Sequence, residues 1–248
     1  MRVTFATAPG ADRNEDFVVA ASTWAFVLDG ATVLPGVRTG CVHDVRWLVA
    51  RLGAALAGGL CTRPDEPLPG LVAVAIEETM AAHAGTCDLG DPDSPSSTVT
   101  VLRERGDALD YLVLCDSPLV LCRSGGEPTV VHDDRVERLP GGRPYGNALV
   151  RAHRNRPGGF WVASTAPEAA HEAVTGTVDR ASVTAALLVS DGISRLVDWY
   201  GRPWRDLVAT AGTDGPHELI TQVRAAEREH GPRYGKAHDD ATAVWVTW

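Results

Sequence analysis

The chain has 248 residues, of which 44% are hydrophobic and 22% charged, the proportions of a globular protein long enough to bury a substantial core. Its formal charge of -9 argues against nucleic acid as the main partner, because a phosphate backbone selects a basic surface. No apolar run reaches membrane-spanning length, and MRVTFATAPG lacks the charged, apolar and cleavage regions of a secretion signal, so the expected location is cytoplasmic with no membrane partner.

Residues 2–8, 17–21 and 24–28 read as strands. Residues 39–58 read as a helix, because Val42, Val45, Leu48, Val49, Leu52 and Leu56 recur at helical spacing. His43 would then be a surface residue of its first turn. A second helix is expected over 68–84 after a Pro-rich turn, followed by a loop at 88–96. Strands follow at 97–104, 109–115, 118–122 and 128–132, with turn signals at Arg105-Gly106 and Gly125-Gly126. Residues 140–159 are rich in Gly, Pro and Arg and look irregular. A short helix near 167–174, a buried strand at 184–190, helices at 192–199, 203–211 and 216–230, and a closing strand ATAVWVTW complete the chain.

Strands and helices come in blocks rather than alternating, which predicts an α+β architecture with antiparallel sheets in one domain, the first and last strands both in its core. The cysteines, Cys41, Cys61, Cys87, Cys115 and Cys122, are odd in number and form no C-x-x-C pair. A zinc site or disulfide framework is therefore not expected, and reduced, mostly buried thiols are.

The acidic residues are placed less ordinarily. In NEDFVVAASTWAFVLDG, Glu15 and Asp16 precede an apolar run and Asp29 follows it. With Ser22-Thr23 as a hairpin turn, Ala21 faces Trp24, and counting outward sets Asp16 opposite Asp29. Like charges so paired destabilise a sheet and call for a cation or shifted pKa values. The pattern recurs where LLVSDG ends a strand at Asp191-Gly192 and HDDATAVWV begins one at Asp239 and Asp240. Oxygen ligands of this kind suit Mg²⁺ and Mn²⁺.

The order Asn14-Glu15-Asp16, Asp29-Gly30, Asp116-Ser117, Ser190-Asp191-Gly192 and Asp239-Asp240-Ala241-Thr242 resembles the metal-dependent protein phosphatases of type 2C, over nearly the whole chain. That resemblance implies a four-layer αββα sandwich, two antiparallel sheets flanked by helix pairs, with two Mn²⁺ or Mg²⁺ ions and a third, weaker one between the sheets. Asp29 would bridge two ions and the Gly30 carbonyl would bind one. Asp191 and Asp239 would complete the other, Glu15 and Asp16 would orient waters from the first and second shells, and Asp116 would share a third ion with Asp191. The implied activity is hydrolysis of phosphoserine or phosphothreonine by an activated water, on a phosphorylated protein partner within a Ser/Thr kinase pathway. Consistent with water as nucleophile, the chain has neither a G-x-S-x-G elbow nor a phosphate-binding C-x₅-R loop.

Departures from the family pattern are specific. Its phosphate-gripping Arg, four residues before the Glu, is Ala11 here, which leaves Arg13 as the candidate for the substrate phosphate. The Gly- and His-rich stretch after D-G is replaced by ATVLPGVRTGC, with Ala31 where the eukaryotic branch has a catalytic His, and Cys115 stands for the Gly of G-D-S. Segment 132–160, where the family has its variable flap, holds Arg135, Arg138, Arg143, Arg151, Arg154 and Arg156, which would attract a phosphorylated substrate. Two other readings are a catalytically weak member that binds phosphoproteins and a small-molecule phosphohydrolase. An HD-type phosphohydrolase, suggested by His-Asp pairs at 43–44, 132–133 and 238–239, is set aside because that fold is helical throughout.

Overall fold

A computed structural model describes residues 1–31 and 36–248. The replaced stretch ATVLPGVRTGC thus lies partly outside the described residues. Strands β1 (Arg2–Ala8), β12 (Ala241–Thr247), β11 (Ala185–Val189), β8 (Leu119–Cys122) and β9 (Thr129–Val131) form one sheet in that order. The other runs β10 (Val174–Asp179), β7 (Ala108–Leu114), β6 (Val99–Arg105), β3 (Trp24–Leu28) and β2 (Phe17–Ala20). Every pairing in both sheets is antiparallel. A third, two-stranded ladder joins β4 (Gly30–Ala31) to β5 (Ser96–Ser97).

Three apolar layers hold this stack together. On β3, Trp24, Phe26 and Leu28 point to helices α1 (Val45–Thr62) and α2 (Leu68–His83), while Ala25 and Val27 point to the opposite sheet. On β11, Ala186 and Leu188 fill the space between the sheets, and Leu187 and Val189 meet helices α4 (Asp191–Asp198), α5 (Trp204–Thr213) and α6 (Pro216–His230). The period-2 alternation of a strand buried on both faces generates all three layers. The result is the αββα sandwich. Among the described residues no helix is long and apolar enough to cross a membrane.

The differences from the sequence expectations have local causes. The first helix begins at Val45, because Asp44 caps it by accepting from Trp47 N–H at 2.9 Å. It runs on to Thr62 through Gly58 and Gly59. His43 is therefore outside the helix. Residues 167–172 form a 3₁₀ helix, and β10 follows it unforeseen, since Gly176 and Asp179 weaken its strand signal and pairing with β7 supplies what propensity does not. Within 140–159, Asn147–His153 form helix α3. β1 lies at a sheet edge rather than in the core, with Phe5 53% exposed. Of the five cysteines, all free, only Cys115 and Cys122 are buried; Cys61 is exposed.

Candidate metal centre

The β2–β3 hairpin has the anticipated register. Ala21 N–H donates to Trp24 O at 2.8 Å, and Phe17 pairs with Leu28, so Asp16 and Asp29 finish level at one end. Val189 pairs with Ala243 in the other sheet, which brings Asp191 to the same end as Asp239 and Asp240. The two tips meet: Asp191 N–H donates to Asp29 Oδ2 at 3.0 Å, and Ser190 Oγ and Thr242 Oγ1 donate to Asp16 Oδ2 at 2.8 and 2.7 Å.

Both Asp-Gly steps are glycine for the same reason. A Cβ on Gly30 would lie 2.4 Å from Val45 Cγ1 and 2.5 Å from Glu15 O. One on Gly192 would lie 1.9 Å from Asp240 O. Each glycine thus lets the turn behind an acid press against the segment carrying another acid. Asp240 works from below: its carboxylate accepts from Gly10 N–H and Glu15 N–H, both at 2.7 Å, and so fixes the chain that delivers Glu15 and Asp16.

Crowding at this tip is electrostatic. Burial pushes Asp16 up to about 7, with Asp240 and Asp239 adding to it and the two hydroxyl bonds opposing it. Burial, then Asp191, Asp16 and Asp239, raise Asp29 well above the ordinary carboxylate range. Burial, Asp239 and Asp116 push Asp191 to about 8, against the pull of Arg195. Asp16 Oδ1 is buried without a hydrogen-bond partner. Clustered oxygen donors with unfavourable mutual charge and a spare lone pair fit hard divalent cations. Asp29, Gly30, Asp116, Asp191 and Asp239 line a cleft of about 680 Å³ above the tip.

A family model described as Protein phosphatase 2C matches residues 8–224. The chain belongs to the protein phosphatase 2C family. Solved structures of similar fold include the Mycobacterium tuberculosis serine/threonine phosphatase PstP/Ppp, with 20% identity, TM-score 0.64, and coverage of 99% of this chain and 97% of that one. The Staphylococcus aureus phosphatase Stp1 is 14% identical, with TM-score 0.65 and coverage of 99% and 94%. A crystal structure of the PstP catalytic domain, matching at 20% identity and TM-score 0.64 over 99% and 97% of the chains, contains two manganese ions. No curated protein matches the chain by sequence.

Around the acids this phosphatase 2C chain places two cations that sequence reasoning passed over, Arg195 and Lys236. Asp239 Oδ2 accepts from Arg195 Nη2 at 2.6 Å and Oδ1 from Lys236 Nζ at 2.9 Å. Arg195 is 5% exposed, stacks 4.2 Å from the Trp199 ring centroid and bonds Glu227 Oε1 at 2.8 Å. It sits on α4 beyond the S-D-G motif, with nothing local to mark it. Asp116 Oδ2 accepts from Arg143 Nη2 at 3.0 Å, and the Asp116 neighbour Cys115 is held in the left-handed region at φ 68°, where the family glycine is at ease.

Of the six arginines in 132–160, Arg143 reaches the acids. Arg154 also lines the cleft, but its guanidinium bonds the Pro92 and Ser94 carbonyls. Arg151 pairs with Asp93, Arg135 with Asp133, and Arg138 with Asp134, while Arg156 is exposed. Arg13 is exposed, pairs with Asp44 at 3.7 Å, and is not part of the cleft wall.

Proposed function

We propose that this chain is a Mn²⁺- or Mg²⁺-dependent phosphomonoester hydrolase acting on phosphoserine and phosphothreonine of a protein substrate in a kinase-regulated pathway. The observation that carries the reading is the convergence of Asp16, Asp29 and Asp191 from separate strand ends with their pKa values raised together. Such a cluster is stable in its ionised form only with cations among its oxygens. Glu15, Asp29, Gly30, Asp191 and Asp239 would hold two ions, and Asp116 with Asp191 a third. When bound, such ions supply an acidified water nucleophile and positive charge opposite the phosphoryl oxygens.

The chain's own residues then divide the remaining work. Asp16, fixed by Ser190 and Thr242, would offer its unpartnered Oδ1 to a metal-bound water. Arg195 and Lys236 hold Asp239 in place. Arg143, already engaged in a charge-assisted bond at the cleft, replaces Arg13 as the group that grips substrate phosphate through its planar fork.

Turnover of p-nitrophenyl phosphate and a phosphothreonine peptide with Mn²⁺, with and without EDTA, tests this. Metal-dependent hydrolysis of the peptide is the expected result. Hydrolysis of small esters alone would make the chain a small-molecule phosphohydrolase. Manganese binding without turnover would make it a phosphoprotein-binding member of the family.

A further inference from the structure

Cys41 and His43 precede α1, His83 ends α2, and Cys87 follows it. Cys41 Sγ lies 3.1 Å from Cys87 Sγ, 3.6 Å from His43 Nδ1 and 3.4 Å from His83 Nδ1. Cys87 Sγ is 3.4 Å from His43 Nδ1. All four atoms fall within 4.8 Å of one another. A zinc ion about 2.3 Å from sulfur and about 2.0–2.1 Å from nitrogen sets tetrahedral ligands roughly 3.3–3.8 Å apart. The sulfur–nitrogen separations of 3.4–3.6 Å match that polyhedron, and the two sulfurs, at 3.1 Å, would move apart by roughly half an ångström to complete it. None of these residues lines the cleft above the acids.

We propose that Cys41, His43, His83 and Cys87 form a structural Zn²⁺ site. Two thiolates and two imidazoles in tetrahedral array select zinc over the hard ions that suit the acid centre. Four protein ligands leave no open position, so the site is structural rather than catalytic. The surroundings are arranged for it. Val42 N–H points at Cys87 Sγ and His43 N–H at Cys41 Sγ, both at 3.4 Å, which spreads thiolate charge. The Trp47 indole stacks on His43 with centroids 3.9 Å apart and flanks His83 at 5.1 Å, fixing both rings. His83 is 3% exposed and its Nε2 has no partner, so the polar engagement of this buried ring is through Nδ1. A Cys41–Cys87 disulfide would use the sulfurs at about 2.05 Å and leave two buried-facing imidazoles without a role.

The ion would staple the start of α1 to the end of α2. Next to it Asp88 N–H bonds Gly40 O at 2.9 Å, and the following loop supplies Asp93 and the Ser94 carbonyl that hold Arg151 and Arg154. Zinc therefore anchors one wall of the cleft from outside it. The proposed site departs from the expectation from cysteine spacing, because its pairs are C-x-H and H-x₃-C at the two ends of a helix pair.

The test uses the full chain purified under reducing conditions with zinc, then dialysed exhaustively against metal-free buffer without chelator. Elemental analysis is expected to find about one zinc per chain, retained in Asp29→Ala and lost in Cys87→Ser, whose Mn²⁺-dependent turnover persists. Should Cys87→Ser fail to fold, cobalt substitution of the wild-type chain decides: visible bands of tetrahedral cobalt with thiolate charge transfer support the site. Zinc that is substoichiometric, or equal in Cys87→Ser, would overturn it. So would octahedral cobalt, or a Cys41–Cys87 disulfide formed despite zinc and reductant.

Discussion

The acid centre and the four-residue Cys/His cluster are two gatherings of potential ligands, built in opposite ways. The acids arrive on strand ends, where the ladder register and two obligatory glycines place each one. Their donors are hard oxygens with pKa values pushed up by burial and by one another. The Cys/His ligands arrive on loops flanking two packed helices, and an indole rather than a sheet orients them. One centre faces a cleft and keeps a lone pair unused; the other is closed. The difference separates a site positioned to do chemistry from one positioned to hold chain segments together.

The largest effect that could break this division is that of Asp29→Ala. Turnover should fall by at least about 100-fold, since an atom touching the ions outweighs the 10–100-fold cost of a supporting partner; zinc content should not change. Steady-state kinetics with elemental analysis on the same sample checks both. Next is Arg195→Met, which leaves Glu227 and Asp239 with less counter-charge at the edge of the acid centre. A loss of about 3 kcal/mol is expected in urea unfolding, toward the low end for a broken buried pair because Arg224 and His238 also face Glu227.

A pH titration of the metal-free chain sharpens the electrostatic half. Asp16 and Asp191, at about 7 and about 8 in the fold, titrate near 3.9 when unfolded. The native state therefore binds more protons, so their contribution is full below about pH 4 and is lost as pH rises toward 8. Melting temperature should fall across that window, and Mn²⁺, binding only the folded acids, should remove the fall. Smaller still, Arg143→Ala should raise KM for a phosphothreonine peptide about 10-fold, the scale of one charge-assisted hydrogen bond. Arg13→Ala should leave KM within about twofold, as befits an exposed ion pair.

Much of the fold was legible because strands alternate. The hairpin register that sets Asp16 against Asp29 followed from counting outward from Ser22-Thr23. The helix at 216–230 followed from its pattern, and the order of five acidic motifs pointed to the family. What was illegible depends on tertiary meetings. Cys41 and Cys87 are 46 residues apart, and His43 reads as an ordinary helix-surface residue. Arg195 carries no local signal, because its meaning comes from Glu227 on α6 and Asp239 beside β12. Among six arginines in one segment, only the folded chain separates Arg143, at the acids, from those tied to Asp93, Asp133 and Asp134. β10 was missed because an edge strand with a central glycine takes its conformation from its neighbour; a Cβ on Gly176 would lie 2.2 Å from the Tyr111 hydroxyl and displace that ring.

The most direct test of the account is anomalous diffraction at the manganese and zinc edges from one crystal grown with both ions. The account predicts manganese among Asp29, Asp191 and Asp239, and zinc among Cys41, His43, His83 and Cys87. A crystal with no manganese beside Asp29 would contradict the acid centre as the seat of catalysis.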